Sequence, residues 1–284
     1  MVPAPPDSGS PPLAPEGPDE ERAVDLALHF AQNHFGLGCG ASSPGWVRPR
    51  VLSMLRKWSL MQGLSLEAVA ESLTKDERAQ LELETALRVG ETRFYRDAEQ
   101  WMAIEQHVLK TLPSRGQINV LSAGCSTGEE AYTAAMVLRK AHRQCHVLGV
   151  DRSAQAIEKA RRGEYGREAL RDIPAAFLSR YCEEAGSSLR VRRVVGELVS
   201  FRRCDLVQEI PSGPFHLIFF KNVLLYLPEN TGEEVAGALL AELDDTGLLF
   251  PAASEVIRLR KAGFSAVRVT GTVTAFRKPK PGQR

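Results

Sequence analysis

The sequence predicts an α/β fold: a mostly parallel sheet covered by helices on both faces, ending in a C-terminal antiparallel hairpin and preceded by a small all-α domain. Three observations predict it. From Gln117 onward, short β-rich runs alternate with helical patterns, the texture of successive β-α-β crossovers. Before that point apolar residues recur at helical spacing. The last two β-rich runs are separated only by Thr270 and Gly271, too close for a crossover and suited to a hairpin.

In chain order, Met1 to Glu20 is rich in Pro, Gly, Ser and acidic residues, without the basic segment or apolar core of a signal peptide, and reads as a disordered tail. Residues 21–89 read as the helical domain. Arg22 to Phe35 carries Leu26 and Phe30 at helical spacing, and Gly36 to Gly45 reads as a loop. A second helix is expected from about Pro49 to Gln62, closed by Gly63, and a third over Leu66 to Leu73; Thr74 is placed to cap a fourth reaching about Val89. Residues 90–116 form a linker and helix, and residues 117–284 the α/β domain. Its expected strands are Ile118 to Ser122, His146 to Val150, Leu198 to Arg202, Leu217 to Phe220, Leu248 to Phe250, Ala266 to Val269 and Thr272 to Phe276. The segment Arg190 to Val195 also has strand character and suggests a small β insertion at about 186–200.

Composition narrows the function classes. Hydrophobic content of 43% and charged content of 25% are ordinary for a globular protein. No apolar run approaches the ~20 residues of a spanning helix, so membrane insertion is not expected. A net charge of +1 argues against nucleic acid, because neutralising phosphates calls for a basic domain. The five cysteines, Cys39, Cys125, Cys145, Cys182 and Cys204, contain no close pair and fit neither a disulfide framework nor a zinc site, which suits a reducing cytoplasm. The six histidines show no ligand spacing, and no metal is assigned.

Directly after the first expected strand comes Ser122-Ala-Gly-Cys-Ser-Thr-Gly-Glu-Glu130, then a helix from about Ala131 to Lys140. A strand, a glycine turn and a helix start bring a nucleotide-like ligand against backbone amides, with Gly124 and Gly128 permitting the turn and the close approach. The spacing is neither G-x-G-x-x-G nor a phosphate loop. Acidic Glu129 and Glu130 would repel a pyrophosphate but suit a ligand carrying an ammonium and a sulfonium, which S-adenosylmethionine has. Asp151, at the end of the second strand, is placed to accept hydrogen bonds from both ribose hydroxyls. Taken singly, a glycine turn is usually just a turn and a strand-end Asp usually a helix cap; in this order the nucleotide reading is favoured.

The chain resembles the chemotaxis receptor methyltransferase (CheR) family from about Val24 to Phe276. Thr92-Arg-Phe-Tyr-Arg96 is similar to that family's T-x-F-F-R, Ser122 to Tyr132 to its S-A-x-x-S-T-G-E-E-x-Y loop, and Lys221-Asn-Val-Leu-Leu-Tyr226 to its R-N-V-x-I-Y. The resemblance implies a class I Rossmann-like methyltransferase fold, S-adenosylmethionine as cofactor, and esterification of glutamate side chains in the acidic helical methylation region of a chemoreceptor's cytoplasmic domain. It implies that Thr92, Arg96, Gly124, Glu130 and Asp151 line the cofactor site, with Asp205 and Leu206 near the adenine and Lys221 and Asn222 below the sulfonium. Arg96 and Tyr226 would face the methyl group. The sequence departs from the family pattern at Gly90, Asp205, Lys221, and Ala252 with Ala253. The β insertion resembles the family's receptor-tethering subdomain in place, with a short loop.

A glutamate carboxylate with a pKa near ~4.3 is already a nucleophile at neutral pH, so no general base is required. Arg96 is expected to orient it with a planar fork that Lys lacks, and Tyr226 to donate a hydrogen bond or exclude water. The plainer alternatives are that Arg96 pairs with Asp97 or Glu99 and that Tyr226 packs with Pro228. Arg48, Arg50, Arg56 and Lys57 on the second helix would steer an acidic partner helix, or else form a solvated face. Two other functions compete: a non-catalytic module that senses S-adenosylmethionine, and a methyltransferase acting on another substrate.

Overall fold

The computed structural model describes residues 17–35, 45, 47–87 and 92–278. The chain clusters into two compact units, Met1–Gly90 with Tyr226–Pro228, and Glu91–Leu225 with Glu229–Arg284. Cys39 and Gly90 lie outside the described residues, as do residues 1–16 of the expected tail and most of the Gly36 to Gly45 loop.

The first unit contains α1 (Pro18–Phe35), α2 (Val47–Gln62), α3 (Leu66–Ser72) and α4 (Glu77–Leu87). Residues 18–20, expected in the tail, are instead the first turn of α1: Pro18 has no N–H to lose there, and Asp19, Glu20 and Glu21 favour the positive helix start. Ala23, Val24, Ala27, Leu28 and Ala31 form the buried stripe of α1, and they share one apolar cluster with Val51, Leu52 and Leu55 of α2 and Leu83 and Leu87 of α4. Burying each leucine contributes about 1.5–3 kcal/mol. Thr74 does not cap α4. Its hydroxyl turns back to the Glu71 carbonyl, and Asp76 takes the cap, accepting from the N–H groups of Arg78 and Ala79.

The second unit begins with α5 (Ala98–Gln106) and continues β1 (Ile118–Ala123), α6 (Glu129–Lys140), β2 (Cys145–Asp151), α7 (Ala154–Arg162), β3 (Glu164–Tyr165), α8 (Ala175–Tyr181), β4 (Cys182–Ala185), β5 (Ser188–Val191), α9 (Arg193–Gly196), β6 (Val199–Arg203), β7 (Phe215–Phe220), α10 (Glu229–Ala241), β8 (Leu243–Pro251), α11 (Val256–Lys261), β9 (Ala266–Arg268) and β10 (Thr274–Phe276). The seven-stranded sheet has the order β6-β2-β1-β7-β8-β10-β9. All pairings through β8 are parallel, and β10 runs against both its neighbours, as the mostly parallel sheet with an antiparallel end requires. β1 and β7 are mostly apolar and almost wholly buried, the signature of strands covered on both faces. The strand order reverses between β1 and β7, which opens a crevice at their C-terminal ends.

The small insertion differs from expectation. Its three-stranded sheet, β3-β5-β4, is built from 164–165, 182–185 and 188–191, so strand character ends at Val191. Arg193–Gly196 is a helical turn. Gly186, with φ 64°, turns β4 into β5 with only Ser187 beside it. The β3 contribution was not legible because a two-residue strand carries no periodicity, and the four residues of β4 carry little more.

Candidate functional site

Four of the five left-handed non-glycine residues among those described lie in three loops: Tyr95 and Asp97 before α5, Ser126 after β1, and Asn222 after β7. Such a conformation costs on the order of 1 kcal/mol per residue and persists where surroundings over-determine it. These are the loops that carry the three motifs, and side chains tie them together.

The loop after β1 is shaped by two glycines. A Cβ on Gly124 would stand 2.4 Å from Val223 Cγ2, and one on Gly128 would meet Ala160 Cβ at 2.8 Å and the Phe201 ring at 2.9 Å. Both have positive φ, so neither place admits a side chain. The loop turns over Asp151 at the end of β2: Oδ2 accepts from the Ser126 N–H at 2.9 Å, and Oδ1 from the Ser153 N–H at 2.9 Å. A carboxylate has about four acceptor positions, so two remain for a ligand diol. The Cys204 N–H bonds to the Asp151 carbonyl, which sets Asp205 and the buried Leu206 next to that strand end.

Glu129 and Glu130 divide at the start of α6. Glu129 is buried, and its carboxylate accepts from the Thr127 hydroxyl at 2.8 Å and the Thr92 hydroxyl at 3.2 Å. Burial pushes its carboxyl above the ordinary range, against the pull of those hydroxyls. Glu130 accepts from Ser122 Oγ at 2.7 Å and pairs with Lys221 Nζ at 3.2 Å. Lys221, only 5% exposed at its side chain, also reaches Asp97 at 3.3 Å and lies 5.3 Å from the Trp101 ring centre. One ammonium thus links the loops before α5, after β1 and after β7.

Arg96 is held by its backbone. Its carbonyl accepts from Trp101 Nε1 at 2.8 Å, the Tyr95 N–H bonds to Thr133 Oγ1 at 3.1 Å, and Phe94 packs edge-on to Tyr165. Arg96 itself is half-buried. The structure therefore brings Thr92, Arg96, Gly124, Glu130, Asp151, Asp205, Leu206, Lys221 and Asn222 into one unit at one end of one sheet. Tyr226 is the exception: it falls in the segment grouped with the helical unit, and its ring packs against that unit's apolar cluster.

Sequence reasoning gave no site role to Asp97 or Glu255 and did not foresee the buried tie made by Glu129. Asp97 lies 124 residues from Lys221, Glu255 lies 33 and 31 residues from Asn222 and Leu224, and Glu129 lies 37 from Thr92, so no local spacing signals these ties; the local partner of Glu255 is the Ala252 N–H. The residues fit a ligand with cationic groups and a ribose: an Asp with spare acceptor capacity, backbone approach at Gly124, and more carboxylates than ammonium groups around the loop.

Among the described residues no group of His, Cys, Asp or Glu is arranged to hold a metal ion, and no helix is long and apolar enough to cross a membrane. Cys125, Cys145, Cys182 and Cys204 are free and buried. Burial is the main cause raising all four thiols, with Cys145 and Cys182 pushed up to about 11. A thiol at that value is thiolate to only roughly one part in a thousand or less at pH 7.5. Iodoacetamide is therefore expected to leave these four unmodified in the folded protein under conditions that alkylate them fully in urea, as read by peptide mass mapping. Rapid alkylation of Cys125 in the native state would show the loop after β1 to be open.

Residues 90–273 match a family model described as CheR methyltransferase, SAM binding domain. The Chemotaxis protein methyltransferase of Borreliella burgdorferi is 25% identical over 249 residues, spanning 82% of this chain and 88% of that protein. Its Escherichia coli counterpart of the same name is 32% identical over 180 residues, 60% of this chain and 62% of the relative. The Probable biofilm formation methyltransferase WspC of Pseudomonas aeruginosa is 31% identical over 193 residues, covering 65% of this chain and 46% of its own.

Proposed function

The chain belongs to the CheR methyltransferase family and is S-adenosylmethionine-dependent, and from that premise we propose that it esterifies glutamate side chains in the cytoplasmic domain of a chemoreceptor. The observation that carries the proposal is the joining of the three motif loops through Lys221, Glu130 and Asp97, with Thr92 and Glu129 as a second tie. The names of the relatives from Borreliella burgdorferi and Escherichia coli support the receptor as substrate.

When bound, S-adenosylmethionine supplies an electrophilic methyl group on a sulfonium. Asp151 would hold the ribose hydroxyls with its two remaining acceptor positions, and Asp205 and Leu206 would border the adenine. Gly124 would let the backbone approach, and Thr92, Glu130, Lys221 and Asn222 would hold the cofactor's other end. Arg96 would grip the incoming glutamate carboxylate by one oxygen and leave the other free to attack. No residue takes a proton, because the carboxylate is ionised at neutral pH. Cytoplasmic placement is part of the same proposal, following from its substrate and its free thiols.

Incubation of the full chain with methyl-labelled cofactor and receptor-containing membranes tests this. Expected is label on the receptor that base releases as methanol. Base-stable label would point to another acceptor, and cofactor binding with no transfer to a non-catalytic sensor.

Three cations of the basic second helix are paired within its own unit. Arg48 pairs with Asp25, Arg56 with Glu20 and Lys57 with Glu82, all inside the helical unit. Steering by this helix is therefore modest: reversing charge at Arg50 and Lys57 is expected to slow receptor methylation at low salt by no more than about tenfold and leave affinity for S-adenosylhomocysteine unchanged. Unchanged initial rates in low salt would assign these residues to solvated surface.

A further inference from the structure

Glu255 is 5% exposed and takes no part in the mechanism above. Its carboxylate is nonetheless fully engaged with backbone. Oε2 accepts from the N–H groups of Asn222 and Ala252, each at 3.0 Å, and Oε1 accepts from the N–H of Leu224 at 3.0 Å. Desolvating a carboxylate costs several kcal/mol, which three N–H donors offset. Burial pushes its carboxyl above the ordinary range, while the donors and Arg258 pull it back.

Arg258, three residues on, completes the grip. Its guanidinium donates to the Leu224 carbonyl from one nitrogen and to the Glu229 carbonyl from the other. The Leu224 residue is thus held at its N–H by Glu255 and at its carbonyl by Arg258.

What is gripped is the turn that follows β7. Asn222 has φ 59°, a conformation the turn must be made to keep. Val223 packs so closely on Gly124 that any Cβ there would overlap it. The turn is therefore set between Glu255 on one side and the loop after β1 on the other. Lys221, immediately before it, bridges Glu130 and Asp97.

We propose that Glu255 is a positioning residue for methyl transfer, fixing the Asn222–Leu224 turn so that Lys221 and Asn222 stand in register with Gly124 and Glu130. The proposal rests on the assignment of this crevice as the S-adenosylmethionine site. Glu255→Gln is the incisive change: both carboxylate oxygens accept, so the amide sets an NH2 against at least one backbone N–H. Glu255→Asp keeps two accepting oxygens on a side chain one methylene shorter.

Both variants of the full chain are measured by calorimetry with S-adenosylhomocysteine, by thermal unfolding, and by single-turnover transfer to receptor membranes per folded molecule. Expected for Glu255→Gln is about tenfold weaker binding and roughly 100-fold slower transfer, with KM for the receptor unchanged, since a shift of about 1 Å costs that much in rate. Glu255→Asp is expected to recover part of the binding. Wild-type binding and transfer with only a lowered Tm would overturn the proposal. Failure of both variants to fold would overturn it too, making Glu255 a requirement of the fold. If the unaltered chain binds S-adenosylhomocysteine yet methylates no receptor, the receptor proposal fails, and Glu255 is judged on binding and its Asp rescue alone.

Discussion

Asp151→Ala is expected to weaken S-adenosylhomocysteine binding by more than about 100-fold in a protein that still folds. Two losses combine. The ribose loses its paired acceptors, and hydrogen bonds to a charged group are worth about 1.5–3 kcal/mol each. The loop after β1 also loses its anchor, because Asp151 Oδ2 accepts the N–H of Ser126, a left-handed residue that needs such a tie. Asp151→Asn separates the two effects. Its amide keeps one acceptor for a backbone N–H but presents an NH2 where the second is needed, so affinity should fall between those of Ala and the unaltered chain. The side chain is half-buried and polar, so thermal unfolding should shift by only a few degrees. Calorimetry on the folded variants decides the matter. Unchanged affinity in Asp151→Ala would move the ribose elsewhere.

Much of this architecture was legible because it repeats. The strand runs Ile118 to Ser122 and His146 to Val150 fall within β1 and β2, and the glycine loop stands where its Gly, Ser and Thr content predicted. Periodicity and turn chemistry are local, and a single sequence states them openly. What stayed hidden was of two kinds. Short pieces such as Glu164–Tyr165 offer no period to read. Long-range ties offer no spacing: nothing in the sequence says that Thr92 meets Glu129, that Lys221 chooses Asp97 as well as Glu130, or that Glu255 accepts from Asn222. The helix caps show a third limit. Thr74 and Asp76 both have capping side chains two residues apart, and only the placement of α4 decides that Asp76 is used. The basic helix shows a fourth, since counting its cations could not reveal that Asp25, Glu20 and Glu82 face them.

Arg96→Ala is expected to slow methyl transfer by roughly 100-fold or more while S-adenosylhomocysteine affinity changes by no more than a few-fold. The backbone that presents Arg96 is fixed on both sides. Tyr95 and Asp97 are left-handed, the Tyr95 N–H is taken by Thr133, and the Arg96 carbonyl is taken by Trp101. None of these bonds uses the Arg96 side chain. What is removed is the planar grip on the attacking carboxylate, and a misplacement of about 1 Å costs about 100-fold. Arg96→Lys should recover little, because an ammonium is a point charge without the two-point fork. A surface role predicts a different pattern. An exposed ion pair is worth at most about 1 kcal/mol of stability, and losing one would lower Tm slightly with turnover intact. Single-turnover transfer to receptor membranes, run beside calorimetry, separates the two. Near-normal rates in Arg96→Ala would take this side chain out of the chemistry, leaving orientation of the carboxylate to a group on the receptor.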